Sequence, residues 1–190
     1  MQSPTLRIAI IVGSTREGRF GHVVARWFTE LACERDDMTI DVVDLAEFDL
    51  PAQLRGGDHP AGRAFARRVD EADAFVVITP EYNHSYPASL KQAIDHAYLE
   101  WNAKPVAFVS YGGVSGGLRA VEHLRGVFAE LHAPTLRDVV SFHGGARLFG
   151  EDGQPKDPDG CNKAARKLLG SLAWWAHTLR DGRRARPYAV

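Results

Sequence analysis

Cysteine is almost missing from this chain. Among 190 residues there are two, Cys33 and Cys161, too far apart for a metal or redox spacing, so a free thiol is expected at each and no metal site. An excess of one charge is missing too: 23 Lys and Arg face 24 Asp and Glu, a formal net charge of −1. Such a balance gathers neither nucleic acid nor an anionic membrane, and neither is expected as a partner. No apolar run is long enough to span a bilayer, and the N-terminus lacks the basic region, apolar stretch and cleavage site of a secretory signal. The cytoplasm is the expected compartment. Repeats, low-complexity tracts and linkers are also lacking. Residues 1–190 are therefore read as a single domain, with a solvated, disordered basic tail over 180–190 carrying Arg180, Arg183, Arg184 and Arg186. What is present is an ordinary globular mixture, 45% hydrophobic and 25% charged, in a chain long enough to bury about 70% of its unfolded surface.

The stretch Phe75-Val76-Val77-Ile78-Thr79-Pro80 is an apolar, β-branched run that stops at a polar, proline-bounded turn, Glu81 to Pro87. A buried parallel strand delivering a loop to the carboxyl edge of a sheet has this form. Four more strands are expected, at Leu6–Val12, Thr39–Leu45, Pro105–Tyr111 and Thr135–Val140. Between them run helical patterns. His22–Glu34 and Ala61–Ala72 are two of these. A third starts with Pro87 in its first turn and has an apolar face of Leu90, Ala93, Ile94, Ala97 and Tyr98. Leu118–Leu131 follows, and then Lys163–Leu179 with Leu168, Leu169, Leu172, Trp175 and Leu179 inward. Pro51–Gly62 and Ser141–Gly160 read as loops. Strands alternating with helices predict an α/β three-layer sandwich around a five-stranded parallel sheet, order 2-1-3-4-5. Its switch point lies between the first and third strands, where ligands bind in such sheets.

Three loops reach that edge. Gly13-Ser14-Thr15-Arg16-Glu17-Gly18-Arg19-Phe20-Gly21 offers amides, hydroxyls and two guanidinium groups at a helix N-terminus, a setting for an anion. It reads equally as a plain strand-to-helix turn with solvated arginines. It is not a Walker loop, because no Gly-Lys-Ser/Thr closes it, and its glycines are too widely spaced for a dinucleotide fingerprint. The second turn is stiffened by Pro80, Tyr82 and Pro87, and Asn83 tolerates unusual backbone angles. Such a turn suits the edge of a flat heterocycle, or else serves only to start a helix. The third, Gly112-Gly113-Val114-Ser115-Gly116-Gly117, permits close approach of backbone to a ring, with the Leu118–Leu131 helix aiming its positive end at it; a flexible surface loop is the plainer alternative.

Gly13-Ser14-Thr15-Arg16, Pro80-Glu81-Tyr82-Asn83-His84-Ser85-Tyr86-Pro87 with Leu90-Lys91-Gln92-Ala93-Ile94-Asp95, and Ser110-Tyr111-Gly112-Gly113 together resemble the NAD(P)H-dependent FMN reductase family, whose flavodoxin-like members include quinone, azo-dye and chromate reductases. The similarity covers roughly residues 6–140. It implies bound FMN, with NADPH or NADH as co-substrate and a small-molecule electron acceptor. Ser14, Thr15 and Arg16, with the loop amides, Arg19, Phe20 and Gly21, would hold the phosphate end. Pro80, Glu81, Tyr82 and Asn83 would line the ribityl chain and ring edge, largely through backbone. Ser110, Tyr111, Gly112 and Gly113 would close the other side, with Gly116 and Gly117 nearby. Arg19 and Gly21 stand where many members carry Ser and Asn.

The resemblance implies hydride passing to the flavin N5 and on to the acceptor, so no catalytic side chain is expected. His22, His84 and His143 have no Ser, Cys or Asp partner at a nucleophile's spacing and are read as surface or rim residues. A homodimer or tetramer is implied, with Tyr82, Tyr86, Tyr98 and Trp101 either at its interface or packed in the core. Two other functions fit the architecture: a non-enzymatic flavodoxin-type electron carrier, and a flavin- or nucleotide-binding regulator. Carriers of that type are usually strongly acidic with a Thr/Ser-rich phosphate loop, and this chain has neither feature.

Overall fold

A computed structural model describes residues 5–51 and 59–189. The middle of the predicted Pro51–Gly62 loop, 52–58, lies outside the described residues. Five parallel strands form the sheet: β1 (Leu6–Val12), β2 (Met38–Asp44), β3 (Ala74–Pro80), β4 (Val106–Gly112) and β5 (Thr135–His143). Their order is β2-β1-β3-β4-β5, as the alternation predicts. The helices are α1 (Gly21–Cys33), α2 (Pro60–Glu71), α3 (Ala88–Ile94), α4 (Leu118–Glu130) and α5 (Pro158–Ala185).

Successive strand residues point to opposite faces, and β1 from Ile8 onward and all of β3 are buried, so these strands feed two cores. Ile8, Ile10, Val76, Ile78 and Val109 face α1 and α5, where they meet Trp27, Phe28, Leu168 and Leu172. Ala9, Ile11, Phe75, Val77 and Phe108 face α2, α3 and α4, around Phe65, Leu90, Trp101 and Phe128. Register brings the strand ends level: Val12 lies opposite Asp44 and Ile78, Thr79 opposite Ser110, and Pro80 opposite Tyr111. All the loops that follow these ends therefore share one rim.

Several expectations at the ends of elements need correction. Pro87 is the N-cap of α3, one place before its first turn. Tyr98 lies beyond that helix and is 65% exposed, whereas Trp101 is fully buried. Thr135 to His143 is one strand, three residues longer than its apolar pattern suggests. On α5 the buried stripe runs through Ala165, Leu168, Leu169, Leu172, Ala173 and Ala176; alanines let the helix approach the sheet closely, and Trp175 is left 41% exposed at the stripe's edge.

The basic tail differs most. α5 continues to Ala185, and Arg180 is buried on it. Arg180 donates to the Thr5 carbonyl at 3.0 Å and to Asp73 at 3.2 Å, and Arg183 donates to the Ala103 carbonyl. Asp73, at the foot of the sheet, is the acid that takes this part of the basic run out of solvent.

Candidate active site

The rim begins where β1 ends. The Gly13 amide donates to the Ile78 carbonyl at 2.9 Å, carrying the strand pairing one residue further. A Cβ on Gly13 would lie 3.1 Å from Leu90 and 3.2 Å from the Ile78 carbonyl, so glycine permits that approach. Ser14 is buried, its hydroxyl 2.7 Å from that of Tyr82. Thr15 and Arg16 are exposed. Gly18 takes a left-handed φ of 63°, and the Arg19 amide closes the turn onto the Arg16 carbonyl at 3.1 Å.

Arg19 does not point outward. Its guanidinium forks both Asp44 carboxylate oxygens at 2.5 Å each and donates to the Ser14 carbonyl at 2.8 Å. The hydrogen bond that Arg19 donates to Asp44 raises the Arg19 pKa further, against the opposing effect of burial. Arg19, expected from the sequence at the phosphate end, is thus engaged in an internal ion pair. Phe20 stacks edge-on with Tyr111 and with Phe149, at centroid distances of 5.7 and 5.0 Å. Phe149 comes from the predicted Ser141–Gly160 loop, which is anchored here beside α1.

α1 then opens with an unfilled end. Its N-cap, Phe20, has no side chain to bond the first amides, and its first turn holds no acid. A 13-residue helix starting this way presents the positive end of its dipole, with the Val23 amide turned back onto the Phe20 carbonyl at 3.0 Å. Arg16 stands exposed in the loop that leads into it.

The second turn is a two-residue hairpin. Tyr82 and Ser85 exchange backbone bonds at 2.8 and 3.0 Å, while Asn83 and His84 take φ of 48° and 74°. Both central residues are left-handed, the signature of a tight primed turn, and Asn tolerates it through its short polar side chain. The Glu81 amide donates to the Tyr111 carbonyl at 3.1 Å, tying this turn to β4. The Glu81 side chain turns the other way: Ser115 and Arg119 both bond it, with Arg119 Nε at 2.6 Å. It also accepts the Arg119 backbone amide at 3.3 Å. Burial alone would raise this carboxyl, but the bonds from Ser115 and Arg119 outweigh it and hold the pKa below the ordinary value.

That carboxylate corrects the picture of α4 aimed at a bound ring, because Glu81 occupies the helix's positive end. The third loop is also tighter than a flexible one. Gly116 and Gly117 have φ of 62° and 88°, and the Gly116 carbonyl accepts the hydroxyls of Ser110 and Ser141, each at 2.9 Å. A Cβ on Gly117 would sit 2.7 Å from that of Ser110, so these two glycines fold the loop back on β4. Gly113 alone is open, with nothing within 4 Å of an added Cβ.

The structure thus brings Ser14, Pro80, Glu81, Tyr82, Tyr111 and Gly112 together along one rim, with Thr15, Arg16, Asn83 and Gly113 exposed on it. Sequence reasoning passed over Asp44, Ser115 and Arg119. Asp44 had one usable signal, an acid as the last residue of a strand at the carboxyl edge. These features fit a flavin mononucleotide: an uncapped helix end and Arg16 suit a terminal phosphate, and a rigid hairpin beside an open glycine suits the edge of a flat ring.

Comparison with known proteins gives the family. The family model for NADPH-dependent FMN reductase matches residues 6–147. An NAD(P)H-dependent FMN reductase of Schizosaccharomyces pombe is 36% identical over 143 residues, covering 70% of this chain and 72% of the relative. A 2-hydroxy-1,4-benzoquinone reductase of Burkholderia sp. is 38% identical over 133 residues, covering 66% of this chain and 72% of the relative. In fold, the chain is similar to FerB, a flavoenzyme NAD(P)H:(acceptor) oxidoreductase from Paracoccus denitrificans, with a TM-score of 0.71, 23% identity, and coverage of 93% and 98% of the two chains. The chain belongs to the NADPH-dependent FMN reductase family.

Proposed function

We propose that this protein binds FMN along the rim formed by residues 13–21, 80–83 and 110–113 and uses it to pass electrons from NADPH or NADH to a quinone, azo compound or other small acceptor. The uncapped start of α1 carries this reading. It carries no side-chain cap and no acid in its first turn, and Arg16 stands in the loop before it; the start of α4 already holds Glu81, and α3, which also starts on the rim, is only seven residues long. Thr15, Arg16 and the loop amides receive the phosphate, while Ser14 braces the rim through Tyr82. Pro80, Tyr82 and Asn83 line the ring edge, and Gly112 and Gly113 let backbone approach it. When bound, the flavin supplies the hydride-accepting and hydride-donating centre. The protein's own share is to orient it, exclude water and hold the phosphate, and no side chain is assigned as a nucleophile.

The same reading includes a homodimer that walls the open side of the site, with exposed Tyr98 and Leu99 at the contact and Trp101 in the core beneath. Sedimentation at micromolar concentration tests this; a monodisperse monomer removes it. Among the described residues no helix is long and apolar enough to cross a membrane, consistent with work on soluble nicotinamide in the cytoplasm. The deciding measurement is the visible spectrum of FMN-loaded protein before and after anaerobic NADPH and NADH. Rapid bleaching is expected. A flavin that stays oxidised indicates a carrier, and no flavin uptake by calorimetry indicates a regulator.

A further inference from the structure

We propose that Asp44 is a positioning residue for the FMN phosphate, acting through Arg19 to hold the 14–20 loop in the shape that receives the anion. This inference rests on the flavin reading above. Asp44 is the last residue of β2, level with Val12 at the end of β1. It is itself held, because Oδ1 accepts the Ala46 amide at 3.0 Å in the turn that follows the strand. Its two oxygens take Arg19 Nη1 and Nη2 at 2.5 Å each. Arg19 Nη1 also donates to the Ser14 carbonyl at 2.8 Å, and the Arg19 amide donates to the Arg16 carbonyl at 3.1 Å. Arg19 therefore ties the loop together: its guanidinium joins the loop's beginning to a neighbouring strand, and its amide closes the turn at Arg16. The two side chains are 18% and 16% exposed, so solvent screens the pair only weakly.

Charge alone argues against Asp44 being here. A carboxylate close to a dianion repels it, and neutralising the carboxylate consumes the only other arginine of the loop. The gain is in shape. With Arg19 pinned, the residues on either side of it are fixed, and Arg16 and the first amides of α1 stay where an anion finds them without further ordering. The rival role for Arg19, a phosphate ligand partly restrained by Asp44, predicts the opposite sign. Removing the carboxylate would then free a cation, delete a repulsion and tighten FMN binding.

The test is Asp44→Asn, which keeps the shape and can still accept from Ala46 but no longer pairs as an ion. Binding of FMN and of riboflavin, which lacks the phosphate, is titrated by flavin fluorescence. Amide exchange over residues 14–20 is followed in flavin-free protein. The expected result is FMN binding weakened roughly tenfold, riboflavin binding changed less than about twofold, and faster exchange across the loop. Arg19→Lys, which cannot fork a carboxylate, should reproduce it, and the double variant should be no worse than either single. FMN binding unchanged or tighter in Asp44→Asn overturns the proposal, as does an equal loss for riboflavin or additive losses in the double variant. Failure of the wild-type protein to take up FMN is a separate result: it removes the flavin reading first and this proposal with it.

Discussion

The hydroxyl of Tyr111 crowds the place where a β-carbon on residue 21 would be. A Cβ built on Gly21 lies 2.7 Å from that oxygen, and the Tyr111 ring is held edge-on by Phe20. The first helical residue of α1 is thus glycine because of a side chain on β4, two strands away across the sheet. Ala has the better helix propensity, yet Gly21→Ala should lower stability by about 1–2 kcal/mol through overpacking. In a Tyr111→Phe background the loss should shrink, since the clashing atom is gone. Urea titration of the four variants measures the coupling directly.

Glu81 gives an acid-side prediction. Its folded pKa lies below its ordinary value, through the bonds from Ser115 and Arg119. The native state therefore holds this proton less readily than the unfolded chain. The stabilisation is complete above the unfolded value and disappears as pH falls through the lower folded one. Glu81→Gln should cost about 1–2 kcal/mol at pH 7 and should have a shallower loss of stability below pH ~4.5 than the parent. Thermal melts from pH 3 to 7 compare the two.

Lys104 gives an alkaline one. This side chain is buried, and its amine donates to the carbonyls of Val69 and Asp70 at 2.9 and 2.7 Å. Burial lowers its pKa from 10.5 to about 8, against the pull of Asp70. Between those values the unfolded chain holds the proton more tightly than the native state, so this residue's contribution to stability rises with pH. Relative to Lys104→Met, the wild-type protein should gain on the order of 3 kcal/mol across that window, measured by denaturant unfolding at pH 8 and above 10.

Arg16 tests the phosphate assignment on its own. Arg16→Ala should weaken FMN binding by about 1.5–3 kcal/mol, the scale of one charge-assisted contact. Riboflavin affinity should stay the same, and the effect should fade with added salt because the guanidinium is exposed. Calorimetry at two ionic strengths provides both numbers.

The sheet was legible in the sequence because buried parallel strands are uninterrupted apolar runs, as Ala74–Pro80 is. The Asn83 turn was legible for the same kind of local reason, since few residues accept a left-handed φ. Local pattern could not show which charges meet. Arg19 and Arg16 look alike in the chain, and only the folded end of β2 separates a paired guanidinium from a free one. Arg180 is the same case, a tail arginine until helix α5 brings it to Asp73. Tyr98 and Trp175 missed their expected faces because aromatic residues at an apolar spacing can sit at the margin of a stripe as easily as at its centre.

One further consequence follows from Glu81. Of the helix starts on the rim, that of α4 is stoppered by the Glu81 carboxylate, whereas those of α1 and α3 carry no side-chain cap and no acid in the first turn. A mononucleotide threaded head-first would drive its dianion against that stopper, while the reverse heading carries it toward Arg16 and the start of α1. On the proposed reading the groove has a bow and a stern, and Glu81 marks the stern.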